Sequence, residues 1–206
     1  MANYLRLLAK VDELDRAEAL EYPVVVAGDI IAEKNAVAVF ESDDEFLHWA
    51  KQTKHADTIQ EVHRLASESA GITAYDRHDQ QRVSQLTHNT IKNIEQLSVR
   101  NGIPTWSEEL FAKAIEEKIL HSSLIYRHTN LGGDFRPIVT GTPVPFFSWI
   151  GFNDTASSAL VSGSLLLCAR TLFRGKRLWL FGAPATKWNL TDFDFNDRAS
   201  SGVAFG

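Results

Sequence analysis

The chain has 206 residues, 44% of them hydrophobic and 23% charged, with a net charge of -5, which gives room for one large folded domain or two small ones. The acidic balance argues against a nucleic-acid backbone as partner. A single cysteine, Cys168, excludes an internal disulfide and a thiolate zinc cluster, and no apolar stretch is long enough to cross a membrane. The opening "MANYLRLLAKVDELDRAEALEYP" has acidic residues inside its apolar pattern and no cleavage-site signature. A soluble, cytoplasmic protein is expected, although a leaderless or processed secreted protein would carry the same residues.

Charge divides the chain. Residues 1–119 hold 13 Lys and Arg against 21 Asp and Glu, a net of -8, whereas residues 120–206 hold 8 against 5, a net of +3, and no Glu at all. The first part is rich in helix formers and the second in Gly, Ser and aromatics. Two domains of different class are expected: 1–119 mostly helical with a small β-hairpin, and 120–206 all-β.

In chain order, Tyr4, Leu7, Leu8, Val11 and Leu14 recur at helical spacing up to Pro23. "PVVVAGDIIAEKNAVAVFE" reads as a hairpin of β-branched runs. Ser42–Glu45 forms a capping box before a helix carrying Phe46 and Trp49. Ile59, Val62, Leu65 and Ala66 mark another helix; Val83, Leu86, Ile91, Ile94 and Leu97 mark a longer one, stopped by "RNGIP". A last helix is predicted from a second box, Thr105–Glu108, with Leu110, Phe111, Ala114 and Ile115 on one face. Five of the seven histidines fall in this part, but none at a spacing that puts two nitrogens on one metal, and no phosphate-binding loop or nucleophile elbow is present. No enzyme activity is expected, and a role in packing or in binding a protein partner is the expectation for this part.

The second part repeats itself. "FNDTASS" at 152–158 returns as "FNDRASS" at 195–201. Upstream of each copy, Tyr126, Leu131 and Gly133 align with Cys168, Phe173 and Gly175. Short runs broken by turn residues suggest about four strands per unit, and two such units make a Greek-key sandwich.

These residues resemble the βγ-crystallin family. Its signature is an aromatic, four residues, an aromatic, one residue and Gly, then a later Asn/Asp-Asn/Asp-x-x-Ser/Thr-Ser. Leu131 and Cys168 each stand where the pattern has an aromatic, and both copies of the second signature match fully. The resemblance covers residues 121–206 and nothing before them. It implies a double Greek-key domain of the microbial, calcium-binding type, with two Ca2+ ions in crossed cages. One ion would take the carbonyl of Thr155, the hydroxyl of Ser157, the carboxylate of Asp197 and the carbonyl of Arg127. The other would take the Arg198 carbonyl, the Ser200 hydroxyl, Asp154 and the Ala169 carbonyl. Asn153 and Asn196 would organise the loops, and Ser158 and Ser201 would support them.

The residue chemistry points the same way. Carboxylate, hydroxyl and carbonyl oxygens are hard donors that Ca2+ takes six to eight at a time, whereas softer metals want His or Cys. One carboxylate per ion makes a weakly charged cage, with a dissociation constant expected at roughly 10⁻⁶ to 10⁻³ M. A non-enzymatic calcium-binding protein is the reading that follows. An inhibitor or toxin on the same scaffold, or an enzyme regulated by the calcium module, are the alternatives.

Overall fold

A computed structural model of the chain describes residues 8–9, 24–28, 37–71, 77–104, 107–117 and 122–205. Strand β1 (Leu8–Ala9) precedes a hairpin pair, β2 (Val24–Ala27) and β3 (Val37–Phe40). Four helices follow: α1 (Asp43–Ala50), α2 (Ala56–Gly71), α3 (Arg77–Asn101) and α4 (Glu108–Glu116). The rest is β: β4 (Ser122–His128), β5 (Gly132–Val139), β6 (Ser158–Arg170), β7 (Arg174–Asn189) and β8 (Ser201–Phe205).

β6 and β7 are long because each serves two sheets. The N-terminal part of β6 pairs with β4 (Leu124 opposite Leu160), which pairs in turn with β5. Its C-terminal part pairs with β8 (Leu166 opposite Val203), and between the two parts the register shifts at Val161 to Gly163. β7 runs antiparallel to β6 along both parts. Val144, from the first unit, bridges Gly202 of β8 in the second. Each unit thus lends a strand to the other's sheet, which is the exchange that makes two Greek keys one sandwich. Its interior holds Ile125, Ile138, Phe147, Phe152, Leu165, Leu167, Leu178, Leu180 and Phe195.

The compositional boundary at 119/120 is not a physical gap. β2 pairs in parallel with β7, Val24 opposite Arg177 through Ala27 opposite Leu180, so the hairpin extends the second sheet. A Cβ on Gly28, whose φ is +124°, would stand 2.3 Å from the Phe181 carbonyl oxygen, so only glycine lets the end of β2 approach β7 this closely. Helices cover both outer faces of the sandwich. Phe46 of α1 and Ile59, Val62 and Ala66 of α2 share a core with Leu166, Cys168, Trp179, Phe181 and Val203. On the opposite face, Ile94 and Leu97 of α3 and Leu110, Phe111 and Ala114 of α4 bury Leu124, Tyr126 and Leu160. The order of layers is helices, sheet, sheet, helices.

Several local expectations shift. Leu8 and Ala9, placed in a helix by their spacing, pair instead with Ala38 and Val37; the remainder of that segment lies outside the described residues. Ser42 caps α1 by accepting from the Glu45 amide, but the Glu45 carboxylate accepts from the Glu41 amide at 2.9 Å, one residue before the box predicts. Thr105 lies outside the described residues, and α4 is capped by Ser107, whose hydroxyl accepts from the Leu110 amide at 3.2 Å. Trp179 and Phe173 lie on the outer face of the sandwich beneath α1 and α2, while Trp149 and Trp188 pack at the edge of the interior.

Candidate metal centre

The two copies of the repeated heptad form facing loops that clasp each other through their backbones. The Asp154 amide donates to the Ala199 carbonyl at 3.0 Å, and the Asp197 amide donates to the Ala156 carbonyl at 2.9 Å. Both aspartates are in the left-handed region, at φ 48° and 52°. That conformation suits Asp and Asn because their short polar side chains bond locally. The local bonds are present: Asn153 Nδ2 donates to Asp154 Oδ2 at 2.6 Å, and Asn196 Nδ2 to Asp197 Oδ2 at 2.8 Å. Each asparagine thereby holds one carboxylate oxygen and leaves Oδ1 to point elsewhere.

Oδ1 crosses to the other unit. Ser157 Oγ lies 2.8 Å from the Arg127 carbonyl oxygen and 3.2 Å from Asp197 Oδ1. Ser200 Oγ lies 2.6 Å from Asp154 Oδ1 and 3.4 Å from the Ala169 carbonyl oxygen. The structure therefore brings Arg127, Ser157 and Asp197 together at one point, and Ala169, Ser200 and Asp154 at another. Thr155 and Arg198 sit in the same loops. The Thr155 hydroxyl donates to the Phe152 carbonyl, and the Arg198 guanidinium pairs with Asp194 at 2.8 Å.

Each point has three oxygens and one proton. An ionised carboxylate and a carbonyl only accept, and a serine has a single O–H to give. The serine proton serves the shorter approach at each point, and the longer one, 3.2 Å to Asp197 Oδ1 and 3.4 Å to the Ala169 carbonyl, leaves an oxygen free to face a cation. The spacing suits one: neighbouring ligands around Ca2+ at 2.3–2.6 Å stand about 2.7–3.5 Å apart. Among the described residues, no three His, Cys, Asp or Glu side chains come together, which leaves hydroxyls and carbonyls as the co-ligands of any ion held here.

The second serine of each motif does different work. Ser158 is fully buried; its hydroxyl donates to the His128 carbonyl at 2.5 Å and accepts from the Leu131 amide at 3.0 Å. Ser201, also fully buried, donates to the Arg170 carbonyl and accepts from the Phe173 amide. These bonds fasten the folded corners in which Leu131 and Phe173 take φ near 60° and Gly133 and Gly175 take 73° and 78°.

Sequence reasoning missed a brace on one side of the centre. Lys176 Nζ donates to the carbonyls of Phe193 and Asp194, and the Asp194 carboxylate accepts from Lys176 and Arg198. The position matching Asp194 in the first unit is Gly151, at φ 68°, so the two loops are held differently. The signal was the charge of Asp194 against a glycine in the repeat. Cys168 is buried, and burial pushes its thiol up to about 12, so it stays neutral through the physiological range.

Solved structures similar to this chain are βγ-crystallin domains. One from Ciona intestinalis is 24% identical, covers 40% of this chain and 98% of its own, and has a TM-score of 0.36. Spherulin 3a from Physarum polycephalum is 29% identical over 40% of this chain and 81% of its own, with a TM-score of 0.33. A βγ-crystallin domain from Clostridium beijerinckii is 20% identical over 40% and 94%, also at 0.33. No family model and no curated protein matches the chain. A βγ-crystallin-like β unit covers part of this chain.

Proposed function

We propose that this chain is a non-enzymatic calcium-binding protein that holds two Ca2+ ions between its repeated loops. The first ion would be held by the Ser157 hydroxyl, the Asp197 carboxylate and the carbonyls of Arg127 and Thr155. The second would be held by the Ser200 hydroxyl, the Asp154 carboxylate and the carbonyls of Ala169 and Arg198. The observation that carries the reading is the pair of oxygen triplets, each supplied by both units and each holding a carboxylate, a hydroxyl and a carbonyl oxygen. Bound to the folded state alone, calcium would stabilise it by RT ln(1 + [L]/Kd), about 2.7 kcal/mol at a hundredfold excess over Kd.

Titration calorimetry of the chelator-treated protein with CaCl2 tests this. Two sites are expected in the native chain and neither in an Asp154→Asn, Asp197→Asn double variant, because each cage then loses its one charge. Asn is the substitution of choice since it tolerates the left-handed backbone that Ala would strain. Absence of heat and an unchanged melting temperature in the native chain would sink the proposal and leave the motifs as loop architecture.

A further inference from the structure

The two oxygen triplets border different helical layers, and each border is one residue wide. The first triplet uses the carbonyl of Arg127, and the residue before it, Tyr126, is buried under α3 and α4 with its ring edge-on to Phe111 at 6.0 Å. The Tyr126 carbonyl accepts from the Ser157 amide at 2.8 Å. One residue therefore both plugs the helical layer and positions the serine. α3 also reaches the approach to the loop, since Ser84 Oγ donates to the Trp149 carbonyl at 2.9 Å, three residues before the heptad begins.

The second triplet repeats the arrangement on the other face. It uses the carbonyl of Ala169, and the residue before it, Cys168, is buried with Phe46 of α1 and Ile59 and Val62 of α2. The Cys168 carbonyl accepts from the Ser200 amide at 2.9 Å. Ser200 leads straight into β8, whose Val203 lies in the same core.

We infer that calcium at each site fastens the helical layer beside it: the Arg127–Ser157–Asp197 site holds α3 and α4, and the Ala169–Ser200–Asp154 site holds α1 and α2. This rests on the calcium reading above and adds a regulated element that a bare sandwich lacks. Lifting a layer uncovers Tyr126 or Cys168, lets that strand end fray, and moves a carbonyl and a serine out of the triplet. Local opening of this kind is the ordinary route by which helices exchange their amides. Linkage is reciprocal: an ion that needs the docked layer must favour it. At a hundredfold excess over Kd the open population falls by about 100-fold. The two aspartates sit on exposed loop positions away from both helical cores, so removing their charge spares the helix–strand contacts.

Hydrogen exchange of the full chain, read by mass spectrometry with and without CaCl2, tests the inference, with calorimetry on the same samples. Amides of all four helices are expected to slow by up to about 100-fold with calcium. In Asp197→Asn the slowing should vanish from α3 and α4 and persist in α1 and α2; Asp154→Asn should show the reverse. Two ions bound with helical exchange unchanged would overturn the coupling and leave the calcium reading standing. Equal loss from both layers in either variant would overturn the assignment of one site to one layer. No heat of binding in the native chain would sink the calcium reading, and this inference with it.

Discussion

Adjacent serines in the repeated heptad carry different burdens, and their substitution separates metal chemistry from architecture. Ser158→Ala removes a fully buried hydroxyl that serves the His128 carbonyl and the Leu131 amide, leaving the buried Leu131 amide without a partner at about 1–3 kcal/mol. Ser157→Ala removes a hydroxyl at a point where acceptors already outnumber protons. We expect Ser158→Ala to lower unfolding stability in chelator by about 1–3 kcal/mol while keeping two calcium sites, and Ser157→Ala to lose one site with a smaller stability cost. Denaturant melts in chelator, paired with calorimetry, check both. The two oxygen triplets were legible as candidates because the motif lists hard oxygen donors twice in register. What separates Ser157 from Ser158 was legible only through the family resemblance, since Ser157 ends the loop and Ser158 opens β6, a boundary the pair of identical residues does not mark. Of the Lys176–Asp194–Arg198 brace only the departure of Asp194 from the repeat was legible, because Lys176 reaches it from 18 residues away through the fold.

Strand patterning carried a message about layers that alternation alone would hide. A sandwich with wet outer faces reads apolar-polar-apolar along each strand, whereas Leu165–Cys168 and Leu178–Phe181 are unbroken apolar runs, buried at every position. Such runs belong to strands covered on both faces, and here helices provide the second cover. The β2–β3 hairpin reads the same way, with Val24, Val25, Val26 and Ala27 all buried. Helix starts were read less well than helix faces. The periodic apolar residues of α3 and α4 fall where they were expected, but two capping signals compete before α4, Thr105 and Ser107, and the second one caps it. A Ser107→Ala substitution should cost about 1 kcal/mol, a fall of about 2–4 °C in melting temperature for a unit of this size. Thermal unfolding followed at the helix signal measures it, and no change would mean α4 is held by its buried face alone.

At the scale of the whole molecule, the charge asymmetry that marks residue 119 divides composition and not cohesion. No helix among the described residues is long and apolar enough to cross a membrane, and the apolar faces of α1–α4 are spent on the sandwich. The two parts are tied by a parallel strand pair, by two helix–sheet cores and by the Asp43–Arg177 ion pair at 3.2 Å. Residues 120–206 made alone would lose all of these. Trp179 and Phe181 would open roughly 300–500 Å² on one face, about the size of the largest patch a monomer carries, before Leu166 and Val203 are counted. β7 would also present the bare edge that β2 covers, a template for pairing with another chain. We therefore expect the isolated second part to bind a hydrophobic dye and to associate in solution, and co-expression with residues 1–119 to restore a dye-silent species. Light scattering and dye fluorescence on the separate and recombined parts decide it. A monomeric, dye-silent second part would mean that the helical layers are an addition to a self-sufficient sandwich. Association relieved by the first part would mean that the helices have become the outer skin of its core.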